Sequence, residues 1–178
     1  MNKETFFTTL QSPVGRLTLA GEGDDLVGLY FDSDPVAARV QSGSARDDGR
    51  LRPALAQLRQ YFAGERTEFE LSLAPRGTAF QLSVWNALRR IPFGETASYG
   101  EIARSVGRPA ASRAIGGANH RNPIAIIIPC HRVIGADGSM TGYGGGLDRK
   151  RVLLDLEARG TADANRAADP RRRADARA

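Results

Sequence analysis

This chain of 178 residues has almost nothing with which to build a cross-link or a metal cage. It contains one cysteine, Cys130, and two histidines, His120 and His131. A single cysteine excludes an intramolecular disulfide, and the cysteine and histidine spacings of structural zinc are absent, so no metal is expected. No run approaches the ~20 apolar residues that span a bilayer, which excludes a helical membrane anchor. Met1-Asn-Lys-Glu-Thr5 lacks a basic stretch followed by an apolar one, so no export signal is expected and the protein is read as cytoplasmic. The length suits one compact domain or two small ones.

Charge is present but unevenly placed. The net charge is +5, with a balance of −2 over residues 1–79, +5 over residues 80–160 and +2 over residues 161–178. The basic excess lies in the half that carries the cysteine. It suits a polyanion partner, because phosphate contacts supply most sequence-independent affinity for DNA; a plain solvated basic surface fits the same numbers.

In the first half, Phe6–Leu10, Leu17–Ala20 and Leu26–Phe31 read as three strands joined by turns at Ser12-Pro13-Val14-Gly15 and Gly23-Asp24-Asp25. Leu51, Leu55, Leu58 and Phe62 recur at helical spacing before Gly64, and Phe69–Leu73 suggests a further strand. This is a small α+β unit, residues 1–74, with no visible chemistry. Ala74–Thr78 reads as a linker. Thr78 and Gln81 have capping-box spacing and open a helix with Phe80, Val84, Trp85 and Leu88 near one face, Trp85 being core. Ser98 and Glu101 form a second such box, opening a helix that Gly107 stops; Pro109 is read as the first turn of another helix through Ala114, Ile115 and Ala118. Two short helices across such a turn suggest a helix-turn-helix within a unit spanning residues 78–160. Residues 161–178 hold no aromatic or large aliphatic side chain and are read as a disordered, Arg-rich tail.

The second of these helices is small-sided: Ala110-Ala-Ser-Arg113-Ala-Ile-Gly116-Gly117-Ala118-Asn119. Adjacent glycines cost roughly 1 kcal/mol each relative to alanine in a helix. Either tight helix packing or the close approach of a partner should offset that. A single arginine among small residues suits a sequence-indifferent approach to DNA from the minor groove.

The reactive candidate is Pro129-Cys130-His131-Arg132-Val133. Ile124-Ala-Ile-Ile-Ile128 ahead of it reads as a short buried strand that Pro129 ends, delivering the thiol at a strand end. A thiolate is a strong soft nucleophile, and His131 is the candidate to take its proton directly or through a water. In a last helix near Asp148–Arg159, Glu157 lies i+4 from Leu153 and i+3 from Leu154, on or beside the buried face. A carboxylate there needs a partner, and His131 or Arg132 would serve; a surface-edge glutamate is the alternative.

Taken together, Tyr99, Arg113-Ala-Ile-Gly-Gly-Ala118, Asn122-Pro123, Pro129-Cys-His-Arg-Val133, Gly142-Tyr143-Gly-Gly-Gly146 and Glu157 stand in an order that resembles the O6-alkylguanine-DNA alkyltransferases. The resemblance implies an RNase H-like N-terminal α/β domain followed by a helical, winged helix-turn-helix catalytic domain. It implies Cys130 as alkyl acceptor, His131 as base through a water, Glu157 orienting it, and Asn122 bracing the segment. Arg113 would fill the gap left by a flipped guanine, with Gly117 and Ala118 also against DNA. Tyr99 would turn the phosphate and hydrogen-bond the base, and the base pocket would be formed by Val133, Tyr143 and Gly144. The implied partner is duplex DNA with an alkylated guanine or O4-alkylthymine, met by a monomer with no cofactor. Some relatives carry Ser at position 144 and many carry Trp at position 152, here Gly and Val; the second change is expected to loosen packing near Glu157. A cysteine hydrolase and a lesion sensor without transfer are the competing readings.

Overall fold

The computed structural model describes residues 4–168, with side chains described through Ala162. Three strands, β1 (Thr5–Ser12), β2 (Gly15–Glu22) and β3 (Asp25–Phe31), form an antiparallel meander, and a short β4 (Ala45–Arg46) pairs parallel to β1. The sheet order is β3-β2-β1-β4. Two helices belong to this half: α1 (Pro35–Gly43), capped by Asp34, and α2 (Arg52–Phe62). The alternation of the strands, with a bulge in β3 between Leu26 and Gly28, turns Phe6, Leu10, Leu17, Leu19, Leu26 and Leu29 inward, into one core with Leu55, Leu58 and Tyr61 of α2. Neither α1 nor β4 was expected, because α1 buries only Ala37 and β4 is two residues long. The strand expected at Phe69–Leu73 reduces to one bridge, Leu73 beside Leu26.

The second half is helical: α3 (Ala79–Leu88), α4 (Tyr99–Ser105), α5 (Ser112–His120) and α6 (Leu147–Ala168). A two-residue parallel ladder joins β5 (Ala97–Ser98) to β6 (Val133–Ile134). Both capping boxes form: Thr78 and Gln81 cap α3 reciprocally, as do Ser98 and Glu101 for α4. Gly107 stops α4 with φ +72°, a conformation that suits glycine. Pro109 does not open α5; it lies in the turn, and the helix begins at Ser112. α6 runs to Ala168, so residues 161–168 are helical where disorder was expected; alanines there favour the helix that α6 has already nucleated. The rest of the expected tail lies outside the described residues.

The isoleucine run is not a strand. Ile124 makes one bridge to Leu29, and the chain then turns on itself, with Ile127 N–H donating to Ala125 O (2.8 Å) and Ile128 N–H to Ile124 O (3.0 Å). Ile126 holds a left-handed φ of +71°, costly for a β-branched residue. Its complete burial, with that of Ile124 and Ile128, provides the offsetting term. Continuous apolarity reports burial and not backbone shape.

This loop is bound to the other half. The outer edge of β3 exchanges hydrogen bonds with it, Leu29 N–H to Pro123 O (2.8 Å) and Ala125 N–H to Leu29 O (3.1 Å), and with the start of the linker and the residues before it, Ala74 N–H to Leu26 O (3.0 Å) and Leu26 N–H to Ser72 O (2.9 Å). Trp85, 1 % exposed, packs α3 against α5 and donates its indole N–H to Ala118 O (2.9 Å). Trp85→Phe would remove that buried donor and leave Ala118 O with the longer bond from Arg121 N–H (3.2 Å). A loss of about 1–3 kcal/mol is expected, read from the midpoint of urea unfolding at unchanged m-value.

Candidate active site

Cys130 opens a 3-10 turn, Cys130–Arg132, directly after the isoleucine loop. The turn, rather than a strand end, presents the thiol. Asn122 braces it: the Nδ2 group donates to Ile128 O (2.8 Å) and to Cys130 Sγ (3.1 Å), while Oδ1 accepts from Ile124 N–H (3.0 Å). Burial raises the Cys130 thiol above its ordinary pKa, against the lowering effects of the Asn122 hydrogen bond and the Lys150 charge. The resting side chain is therefore a thiol. Tyr143 lies beside it, its buried hydroxyl held far above the usual phenol range by burial and then by the nearby sulfur, without a well-aligned hydrogen bond.

Beneath the thiol lies a charged cluster closed to water. Glu157 and His131 are both 0 % exposed, and His131 Nε2 meets Glu157 Oε1 at 2.8 Å. Arg132 forks onto the same carboxylate, Nε to Oε2 (2.9 Å) and its terminal NH2 to Oε1 (3.0 Å). Tyr61 donates to Oε1 (2.7 Å) and Gly94 N–H to Oε2 (3.1 Å). Burial alone would raise the Glu157 carboxyl, but the hydrogen bonds and charges of His131 and Arg132 outweigh it and hold the pKa at about 2. His131 is pushed down, chiefly by burial, against the pull of Glu157. An ionised Glu157 takes the Nε2 proton of a neutral imidazole as a hydrogen bond, which leaves the lone pair on Nδ1. That atom is buried and bonds no protein atom among the described residues, so it is the basic position of the site.

Three contributors were not foreseen. Tyr61 comes from α2, in the half read as having no chemistry. Its signal was its place on the apolar stripe of α2 beside Leu58. Lys150 is 0 % exposed and donates Nζ to Val133 O (2.6 Å) and Thr141 O (2.9 Å). Lys150, Leu153 and Glu157 are spaced i, i+3, i+7, so one helical stripe could have found it. Arg149 ties α6 to the first half through Val14 O (2.8 Å) and the Ser33 hydroxyl (2.9 Å).

Above the thiol opens a cleft of about 630 Å³ lined by Tyr99, Arg113, Gly116, Asn119, Tyr143 and Gly144. Tyr99 reaches Thr141 O and Gly142 O at 3.5 Å, and Arg113 is exposed on the first turn of α5. Gly116, and not Gly117, lines the cleft; a Cβ on Gly116 would stand 3.7 Å from the Tyr99 ring. Ala118 corrects the expected interface: it is buried, its carbonyl taken by Trp85, so it belongs to the core. Val133 is buried as well, and its carbonyl accepts from Lys150. Gly144 has room for a Cβ, with His120 at 3.6 Å, so serine would be accommodated there. Val152 is 36 % exposed, and its difference from tryptophan does not touch Glu157 packing.

The arrangement can deliver a buried thiol to an electrophile entering from the cleft, remove its proton to His131, and stabilise the imidazolium with Glu157. Because the Glu157 pKa is depressed, its stabilising contribution is complete above the ordinary carboxylate range and is lost as pH falls toward 2. Glu157→Gln leaves Arg132 buried without its counter-ion, for an expected loss of about 3–5 kcal/mol at pH 7. Its stability should also fall less steeply between pH 5 and 2 than that of the parent, as denaturant unfolding at each pH would measure.

Known proteins share this arrangement of sequence. Residues 79–159 match the family described as 6-O-methylguanine DNA methyltransferase, DNA binding domain, and residues 5–75 its ribonuclease-like domain. A methylated-DNA–protein-cysteine methyltransferase of Mycobacterium bovis is 54 % identical over 158 residues, 88 % of this chain and 95 % of its own. One from Methanosarcina acetivorans is 51 % identical over 152 residues, 85 % of this chain and 97 % of its own. Among solved structures, Mycobacterium tuberculosis OGT in complex with DNA superposes with a TM-score of 0.82 at 53 % identity, over 87 % of this chain and 94 % of that one. Two domains matched in order, a cysteine braced by Asn122 and a buried His131–Glu157 pair leave one assignment: the chain belongs to the 6-O-methylguanine DNA methyltransferase family.

Proposed function

We propose that this protein repairs DNA by direct reversal, transferring the alkyl group of O6-alkylguanine in duplex DNA to Cys130, with O4-alkylthymine a second substrate. The observation that carries it is the placement of the thiol: buried Cys130 lines the cleft together with Tyr99 and Arg113, and the residue after it, His131, is paired with buried Glu157. We read residues 1–74 as an RNase H-like accessory domain and residues 78–160 as the catalytic domain, with α4 and α5 as a winged helix-turn-helix.

The target oxygen is unreachable inside a stacked duplex, so the nucleotide is flipped at a cost of a few kcal/mol. Exposed Arg113 fills the gap from the minor groove, with the small surface around Gly116 and Gly117 allowing α5 to come close. Tyr99 turns the phosphate and donates to the base. The Cys130 sulfur attacks the carbon bound to O6 in line with the breaking bond. Its proton passes to His131 Nδ1 through a water, the S–C bond forms, and the C–O6 electron pair leaves on the base as the guanine anion. The Tyr99 hydroxyl stabilises that charge by hydrogen bonding, and solvent supplies the proton that makes neutral guanine while His131 gives its own back to water. Main-chain groups of Cys130, Val133 and Gly144 read the guanine edge, with Tyr143 walling the pocket. No electrons change hands, so the step calls for no redox cofactor. The product is a thioether without a carbonyl for water to attack, and each molecule reacts once.

The decisive experiment mixes the protein with a duplex holding one O6-methylguanine and weighs the intact protein and its peptides. One added methyl on the Cys130 peptide, saturating at one per protein, is expected; Cys130→Ala should still bind the lesion and gain no mass. A folded parent protein that binds without gaining mass would replace this reading with lesion sensing, and repeated turnover on esters would replace it with hydrolysis. Arg113→Ala should slow transfer from duplex DNA by roughly tenfold or more, since a loss of 1.4 kcal/mol in flipping is already tenfold. Transfer from the free modified base, followed by the same mass readout, should be nearly unchanged.

A further inference from the structure

Resting on the alkyl-transfer reading, we propose that Tyr61, supplied by the N-terminal half, is a positioning residue for the reaction: it holds the Glu157 oxygen that orients His131.

Glu157 Oε1 is the crowded atom of the site. It accepts from the Tyr61 hydroxyl at 2.7 Å, from His131 Nε2 at 2.8 Å and from Arg132 at 3.0 Å. An oxygen with two lone pairs divides its acceptor strength among three donors, so Tyr61 and His131 compete for the same charge. Tyr61 is 0 % exposed, and its direction is fixed by rings on three sides, with Phe62 at 5.2 Å, Phe69 at 5.4 Å and Phe93 at 6.0 Å between centroids. Burial and the adjacent carboxylate keep its hydroxyl protonated far above neutrality, so it is a donor at every working pH. A buried tyrosine hydroxyl needs a partner, and the one it has here, 96 positions away in sequence, is the same oxygen that meets His131 Nε2.

The charges facing His131 are Glu157 and Lys150 from α6 and Arg132 from its own turn, with the Cys130 thiol beside it and Tyr61 reaching in from α2. Removing the Tyr61 hydroxyl leaves Oε1 to His131 and Arg132. More negative charge then bears on Nε2, the imidazolium becomes easier to form in the resting protein, and the Nδ1 lone pair is lost at a higher pH. The consequence is confined to acidic conditions, where the base is already partly protonated.

The test measures single-turnover methyl transfer to Cys130 from pH 5 to 9 in the full chain, its Tyr61→Phe variant and its Leu58→Ala variant. Tyr61→Phe keeps the ring contacts and deletes only the donor. Its acidic limb should move up by about 0.5–1 pH unit, a roughly three- to tenfold lower rate on that limb, with the alkaline plateau little changed. Leu58→Ala opens the same hydrophobic core one turn away, and should lower Tm while leaving the limb in place. An unmoved limb in Tyr61→Phe, a uniform fall at all pH, or an equal shift in Leu58→Ala would each overturn the proposal. A parent protein that transfers no methyl group at any pH would instead remove the alkyltransferase reading beneath it.

Discussion

A carboxylate out of reach of water survives only where donors replace the solvent it has lost. Glu157 meets that condition with four donor residues from three places in the chain: Tyr61 of α2, Gly94 of the loop after α3, and His131 and Arg132 of the reactive turn, all converging on α6. Each donor is fixed in turn by something else. Arg132 also donates to Ile91 O (2.6 Å), and Gly94 takes a φ of +77° where a Cβ would run into Thr161. The ionic cluster thereby ties four separate segments of the chain to one point, and the thiol belongs to the residue next to His131.

A second constraint operates at the edge of the sheet. β3 has an open side, and unpaired strand edges invite association. Here the linker and the isoleucine loop take up that edge, so the segment that carries Cys130 is held by the same hydrogen bonds that protect the sheet. This gives the N-terminal half a physical role in the chemistry, although it contributes no group that reacts. The left-handed turn at Ile126 follows from the same arrangement: the loop must leave β3 after one bridge to bring Asn122 and Cys130 together.

Much of the site could be read from the sequence where local chemistry determined it. The capping boxes at Thr78 and Ser98, the stop at Gly107 and the three strands of the meander are short-range patterns, and all formed. The spacing of Glu157 to Leu153 and Leu154 put it on or beside the buried side and left a surface-edge position open; the structure buries it completely. Tyr61, Lys150 and Arg149 were less legible because their partners lie far away in sequence or are main-chain carbonyls, which no pattern of side chains displays. The isoleucine run misled for a related reason: burial makes a sequence apolar whether the backbone is extended or turned. Ala118 was misplaced because a small side chain on an amphipathic helix serves equally well against a partner and against Trp85.

The order of these contributors along the chain also imposes an order in time. Cys130 and His131 precede Lys150 and Glu157, so a chain growing from its N-terminus contains the nucleophile before it contains the groups that organise it. Until α6 docks, His131 has no carboxylate and Arg132 no counter-ion, and the isoleucine loop lacks the helix that closes over the turn. Reactivity therefore waits on the docking of α6, which supplies Glu157 to His131 and Arg132.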